Sequence, residues 1–260
     1  ARSIIQGGPL IKNNNTIILD YILKEYNKII KRKVIYSQFR NFTSHNLEIQ
    51  NNFAQVGYNY EDHLNIIVDL SIGIDLLWKG VKRNRKDGVN KGKRQGFTFE
   101  VTKDSQYIDS FYKLLGLTYQ RAKLPYPSKS FFNNLIEPLK NNFQWFILKK
   151  ENEPIIILLS FTFKKTIYAY YIGIVGNNEI LKLRPVDYFY WKVIEWGVEN
   201  NFNYFDWMGA GKPKKEYGVR KFKLQYGGEL LEMGRYEQIH KPVLMEIGKI
   251  GLKIYQKIKK

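Results

Sequence analysis

Asp206 closes a strand-like run, Tyr204–Trp207, and opens onto a glycine- and lysine-rich loop, Met208–Lys215. An amine must lose a proton before it attacks, and a carboxylate placed there can accept or steer that proton. It can equally cap the loop behind it, and the structural role ranks higher. Further on, Tyr217, Arg220 and Lys221 share one side of a short helix with Leu224, so one of them can orient a phosphate while another is surface. Lys212, Lys214 and Lys215 make the loop basic; a solvated loop is the default and a contact to a phosphate of a polyanion the sharper idea. A second concentration of charge, Lys82, Arg83, Arg85 and Lys86, lies among Gly80, Gly88 and Gly92. Clustered guanidinium and ammonium groups suit a polyanion and the glycines allow close backbone approach, with a solvated helix face as the rival. Arg184 and Lys182 precede a helix start, where an anion meets the positive end of the dipole. Decoration of that helix start is the alternative.

Composition narrows the chemistry. The 260 residues contain no Cys and only three His, so disulfides, zinc-thiolate sites and His-rich metal sites are not expected, nor are serine or cysteine triads. The net charge of +18 draws polyanions such as nucleic acid, anionic lipid headgroups or phosphorylated substrates, although an AT-rich coding bias supplies the same Lys, Asn and Ile residues. The longest apolar runs, such as Ile155–Phe163, fall short of the roughly 18 residues a bilayer span requires. With no signal peptide at the start, a cytoplasmic location follows, at the inner face of the membrane if the surface charge is used. The opening ARSIIQGGPLI reads as a strand already inside a domain, so an N-terminal portion is expected to precede it.

The hydrophobic pattern outlines the scaffold. Ser3–Gln6 and Gly7-Gly8-Pro9 read as strand then turn, and Thr16–Lys31 has helical spacing. Val34–Phe39 alternates as a strand, and after a polar stretch with Asn51, Asn52 and Tyr58 comes the buried strand Asn65–Leu70. Gly73–Gln95 reads as one helix interrupted by glycines and leads into the strand Phe97–Thr102. Ser105–Lys123 and Ser128–Lys140 are amphipathic helices with plausible caps, followed by strands at Gln144–Lys150, Pro154–Phe163 and Thr166–Val175. Pro185 suits an early helical position, and Val186–Glu199 continues that helix. After Tyr204–Trp207 come a short helix, Tyr217–Gln225, and a last strand, Glu229–Tyr236. Val243–Lys260 is a basic amphipathic helix, expected to dock on a domain core rather than enter a membrane surface.

The order helix, helix, meander, helix, strand, helix, strand is that of a GNAT domain. The stretch FDWMGAGKPKKEYGVRKFKLQYGGELLEMGRY, Phe205 to Tyr236, follows a helix carrying Trp191, Ile194, Glu195 and Trp196. It resembles the C-terminal signature of the Fem family within the GNAT acyltransferase superfamily: a helix ending in W..G, a strand ending in FD, a glycine loop and an FK…GG block. The match is close over Asp187–Tyr236; Leu77–Glu100 resembles the family's basic segment before its second domain, and GGPL near the start also fits.

What the resemblance implies is an α/β (α+β) fold of tandem GNAT-like domains, with mixed, mostly antiparallel sheets flanked by helices and the first domain truncated. Residues 1–102 would be the C-terminal part of the first domain with its basic linking helix, 103–238 a complete second domain, and 239–260 a helix packing back on the first. It further implies a monomeric acyltransferase that binds no cofactor and builds cell-wall bridges. The aminoacyl group would pass from aminoacyl-tRNA to an amine of a lipid-linked or nucleotide-linked peptidoglycan precursor.

The family's FK pair falls on Phe222-Lys223. Attack on an ester builds negative charge on the carbonyl oxygen and then on the departing ribose oxygen, and a fixed Lys223 ammonium stabilises both. Phe222 offers a face for a base or ribose of the tRNA end. Trp207 of the FDW stretch joins the donor-binding set with Tyr217, Arg220, Arg184, Arg85 and Lys82, while Tyr168, Tyr170 and Tyr171 lie where a cleft wall is expected. Acetyl-CoA enzymes cradle pyrophosphate in a Gly-rich turn at a helix N-terminus. The corresponding turn here, Asn178–Val186, has no glycine, which favours aminoacyl-tRNA over acetyl-CoA as donor. The rivals are N-acylation of a cell-envelope sugar or amine from an acyl-CoA, and a non-catalytic nucleic-acid-binding module.

Overall fold

The computed structural model of the chain describes residues 1–258. The chain opens with β1 (Ser3–Gln6), α1 (Thr16–Ile30), β2 (Tyr36–Arg40), α2 (Leu47–Gln55), β3 (Asn59–Glu61) and β4 (Leu64–Asp69). Next come α3 (Ile74–Gly80), α4 (Arg83–Lys93), β5 (Thr98–Thr102), α5 (Tyr107–Arg121), α6 (Lys129–Ile136), β6 (Phe143–Lys150), β7 (Glu153–Phe163) and β8 (Thr166–Ile174). The rest is α7 (Asn178–Lys182), α8 (Pro185–Glu199), β9 (Tyr204–Asp206), α9 (Gly218–Leu224), β10 (Glu229–Glu232), β11 (Arg235–Ile239) and α10 (Pro242–Ile258). The expected class, mixed α/β with mostly antiparallel sheets flanked by helices, is what the chain adopts.

Two compact units interleave along the chain, rather than following a linear division at residue 102. One comprises Ala1–Asn65, Gly209–Glu216 and Leu231–Lys260; the other comprises Ile66–Met208 and Tyr217–Leu230. In the first, a four-stranded sheet runs β1-β2-β11-β3, with β1 and β2 parallel and the other pairings antiparallel. Leu19 and Leu23 of α1 and Phe53 of α2 meet Phe39, Tyr58 and Tyr236 of the sheet region in a core where the Phe53 and Tyr236 rings stack at 3.8 Å. Asparagine caps start both helices: the Asn15 side chain accepts from the amides of Ile17 and Ile18, and that of Asn46 from Ile49.

The second unit is a seven-stranded sheet, β10-β4-β9-β8-β7-β6-β5, with β8 and β9 parallel. The central strands are apolar on both sides because both sides are covered. Trp145, Ile147, Ile157 and Leu159 face Phe111, Leu114 and Leu115 of α5 and Phe132 of α6. On the opposite side the Phe146 ring meets Trp196 of α8 at 5.0 Å, and Phe99 meets Phe189 at 6.0 Å.

Several elements differ from the sequence expectation. The helix expected over Gly73–Gln95 is two helices, because Val81 and Lys82 take extended backbone and the Lys82 amide donates to the Gln225 carbonyl at 2.8 Å. The polar stretch after Phe39 holds α2 and β3. The last strand splits into β10 and β11, which belong to different sheets. Gly234 makes that break: its φ is +67°, and a Cβ there would lie 2.3 Å from the Tyr60 ring. The glycine-free turn at Asn178–Val186 contains α7. No residue of α10 is fully buried: Val243, Ile247, Ile250, Ile254 and Ile258 are exposed, while Met245, Tyr255 and Gln256 are half-buried. Lys260, expected in that helix, lies outside the described residues.

Candidate active site

The parallel pair β8 and β9 stays in register from Thr166 opposite Tyr204 to Tyr168 opposite Asp206. There β9 ends while β8 continues to Ile174, so the strands part at Asp206. The carboxyl ends of parallel strands joined through a helix are where α/β sheets hold ligands. Beyond the parting point the register of β7 against β8 slips: Leu159 faces Tyr171 while Ser160 faces Ala169, leaving Tyr170 as a bulge.

Asp206 is 2% exposed. Its Oδ1 accepts the Met208 amide at 2.7 Å, which fastens the loop as Met208 turns through a φ of 53°. Lys223 reaches in from α9, and its Nζ donates to the main-chain carbonyls of Trp207 and Met208 at 2.8 and 2.9 Å. Burial pushes the Asp206 carboxyl up to about 6, against the Met208 amide and the Lys223 charge. Burial likewise pushes the Lys223 ammonium down to about 8, with the Asp206 charge opposing. A buried carboxylate and a partly desolvated ammonium, each shifted toward neutrality, form an acid–base pair of the kind found where protons are moved.

Aromatic rings wall this pair. Trp207 is buried between Tyr190 at 4.4 Å, Phe205 at 5.0 Å and Tyr226 at 5.5 Å, and Phe222 packs on Tyr226 at 5.3 Å. The Arg85 guanidinium covers the Phe222 ring, 5.2 Å from its centroid. Arg85 Nη1 also donates to Asp187 Oδ1 at 2.7 Å, Arg184 Nε lies 2.7 Å from Oδ2, and the Tyr226 hydroxyl donates to Oδ1 at 2.9 Å. One buried carboxylate thus collects two guanidiniums and a phenol, which ties α4, α8 and the segment after α9 together.

That cluster occupies the N-terminus of α8, where a pyrophosphate would otherwise sit. Pro185 brings no N–H to the first helical position, Arg184 before it is left-handed with a φ of 65°, and Asp187 places a negative charge in the first turn. A glycine turn of bare amides is absent, and the first turn is occupied by Asp187 with its two guanidinium partners.

The residues singled out in the sequence separate accordingly. Asp206, Lys223, Phe222 and Trp207 come together, although Trp207 is buried and the face of Phe222 is covered by Arg85. Arg85 and Arg184 spend their charge on Asp187. Gly88 and Gly92 serve helix packing rather than a polyanion: a Cβ at Gly88 would lie 2.7 Å from the Asp187 carboxylate, and one at Gly92 would lie 2.5 Å from Tyr188 Cβ. Lys82 is exposed at the start of α4, Tyr217 is exposed at the start of α9, and Arg220 is half-buried one turn along. Tyr170 and Tyr171 pack on the α5–α6 core, whereas Tyr168 stands opposite Asp206, and burial, with the Asp206 charge adding, raises its phenol. Asp187, Tyr190 and Tyr226 were missed. An acidic residue opening the aromatic-rich run VDYFYW was the available signal for Asp187.

These features define the class as an acyltransferase domain. The chain belongs to the Acetyltransferase (GNAT) domain family, whose model matches residues 79–222. Its fold is similar to that of FemX, with a TM-score of 0.69 over 94% of this chain and 82% of that one at 14% identity. It is also similar to L-PGS from Bacillus licheniformis (TM-score 0.63, 16% identity, 94% of this chain and 80% of that one). A third is the C-terminal domain (DUF2156) of a putative lysylphosphatidylglycerol synthetase from Agrobacterium fabrum (TM-score 0.63, 12% identity, 94% and 80%). At these identities the likeness is one of fold. Comparison with curated protein sequences gives no significant match.

Proposed function

We propose that the chain transfers an aminoacyl group from aminoacyl-tRNA to an amine of a peptidoglycan-type precursor, as a monomer working at the cytoplasmic face of the membrane. The observation that carries this reading is the Asp206–Lys223 pair where β8 and β9 part. The acceptor nitrogen attacks the ester carbonyl carbon and gives its proton to Asp206. The Lys223 ammonium stabilises the tetrahedral oxyanion; as the carbon–oxygen bond to ribose breaks, the departing oxygen takes the proton from Asp206, restoring the carboxylate, and the new amide leaves.

Two features support the donor and the setting. The α8 terminus carries Asp187 where acyl-CoA binding needs open amides, which favours tRNA. An exposed apolar side of α10, beside Lys249, Lys253 and Lys257, suits peripheral contact with anionic lipid. No helix of the described residues is long and apolar enough to cross a membrane. The second reading is N-acetylation from acetyl-CoA, which the family's own description favours.

The deciding experiment offers the protein radiolabelled aminoacyl-tRNAs and acetyl-CoA in parallel, with lipid-linked and nucleotide-linked muropeptides as acceptors. Label is expected in the muropeptide from aminoacyl-tRNA. Label arriving only from acetyl-CoA would overturn the donor, and salt-sensitive tRNA binding without product would reduce the chain to a binding module.

A further inference from the structure

On the side of the four-stranded sheet away from Phe39 and Tyr236, two arginines stand directly across from each other: Arg40 of β2 pairs in register with Arg235 of β11. Facing residues of an antiparallel pair come within about 5.5 Å at Cβ, and like charges so placed repel. Both side chains are half-buried, which removes much of the water that would screen them.

The neighbouring carboxylates Glu61 and Glu237 relieve Arg235 only in part. Glu61, across from Arg235 on β3, is engaged by Lys212 at 2.5 Å, and Glu237 accepts from Gln38 at 3.0 Å. Among the described residues Arg40 spends only its Nε, on the Gln38 side-chain oxygen at 2.8 Å. Among the described residues nothing accepts a hydrogen bond from Arg235, and its Nε is buried without a partner. A buried donor on a charged group is rarely left unmade without reason. The surroundings are positive enough to act on nearby groups. Burial and then the Arg40 charge push Arg235 down to about 10, with Glu61 and Glu237 opposing; burial and then the Arg235 charge, with Glu61 opposing and Arg40 and Lys212 adding, hold His63 down to about 4.

We propose that Arg40 and Arg235 form a binding site for a compact oxyanion, a phosphate or carboxylate group, on this face of the sheet. Guanidinium forks match the paired oxygens of either group, and one anion between two arginines replaces repulsion by charge-assisted hydrogen bonds. The inference stands apart from the acyl-transfer reading, because it uses none of the residues assigned to that reaction.

The test is calorimetric titration of the whole chain with inorganic phosphate, pyrophosphate and acetate, each against chloride at constant ionic strength. Phosphate or pyrophosphate binding assigns a phosphoryl ligand, and acetate binding without phosphate binding assigns a carboxylate. Arg40→Gln and Arg235→Gln should each weaken binding tenfold or more, while Arg83→Gln, exposed on α4, should change it less than twofold. Equal loss in all three variants would reveal diffuse attraction by a basic protein and overturn the site, as would undiminished binding in Arg235→Gln or no binding to the unaltered chain. Melting temperature adds a second readout. Without anion Arg235→Gln should melt no lower than the parent, while losing the rise that phosphate gives the parent; an equal drop with and without phosphate would mark Arg235 as structural and sink the proposal.

Discussion

Asp187 meets Arg85 at 2.7 Å across 102 residues of sequence, and the pair is nearly closed to water, with side-chain exposures of 4% and 15%. Such a pair offers little net stability over an apolar substitute, yet removing one partner leaves the other charge buried and alone. Asp187→Ala should therefore destabilise the chain by about 3–5 kcal/mol, read as a shift in urea midpoint. Asp187→Asn, which keeps the shape and some hydrogen bonds, should lose less. If Asp187→Ala unfolds with the parent's midpoint, the carboxylate is not the tie it is taken to be here.

The glycines of the basic segment offer a test of packing against propensity. In an open helix Gly→Ala gains about 1 kcal/mol. At Gly80 nothing lies within 4 Å of a new Cβ, so Gly80→Ala should be neutral or stabilising. At Gly88 and Gly92 the new methyl would press on Asp187 and Tyr188, and overpacking costs about 1–3 kcal/mol. Thermal unfolding should place Gly80→Ala level with or above the parent and both other variants below it.

That contrast also marks where sequence reasoning reached and where it stopped. The strands around Trp145 and Ile157 and the helix of Trp191 were legible because burial on one or both sides writes itself as periodicity. The stretch that carries Asp206 and Lys223 marked both as candidates, and the fold brings them near one another. The partnership of Asp187 with Arg85 was not, because a buried ion pair joins residues with no regular spacing. The lysines and arginines between Lys82 and Lys86 look alike in sequence, and only packing distinguishes Arg85, over Phe222, from the exposed Lys82. The break at Gly234 depends on the Tyr60 ring, which adjacency in sequence does not reveal.

The pH dependence of the Asp206–Lys223 pair follows from the direction of each shift. The folded chain holds the Asp206 proton up to about 6 against an ordinary 3.8, so stability falls as pH rises across that window. It releases the Lys223 proton at about 8 against an ordinary 10.5, so stability rises with pH between those values. Asp206→Asn should remove the acidic slope and Lys223→Met the alkaline one. Transfer should follow a bell, increasing through about 6 as Asp206 becomes a base and declining above about 8 as Lys223 loses its charge. Lys223→Met should slow transfer by about 10²–10³ while changing tRNA affinity little. A flat profile, or an equal loss of rate and binding, would take both residues out of the chemistry.

The last prediction concerns α10. Ile247, Ile250, Ile254 and Ile258 recur every three or four residues and are exposed, and Lys249, Lys253 and Lys257 form a second stripe beside them. Against a bilayer the apolar stripe enters the headgroup boundary while the lysines meet anionic phosphates, each contributing about 1 kcal/mol near the surface. Cosedimentation should therefore find the chain on phosphatidylglycerol-containing vesicles and not on purely zwitterionic ones, with binding weakened by salt. Ile250→Asp with Ile254→Asp should abolish the interaction and leave the tryptophan fluorescence of the folded chain unchanged, since neither side chain packs in the core. Reversing Lys253 and Lys257 to Glu should weaken binding and flatten its salt dependence. Equal binding to zwitterionic and anionic vesicles would remove the role of the lysines, and no binding to either would leave α10 without a lipid partner.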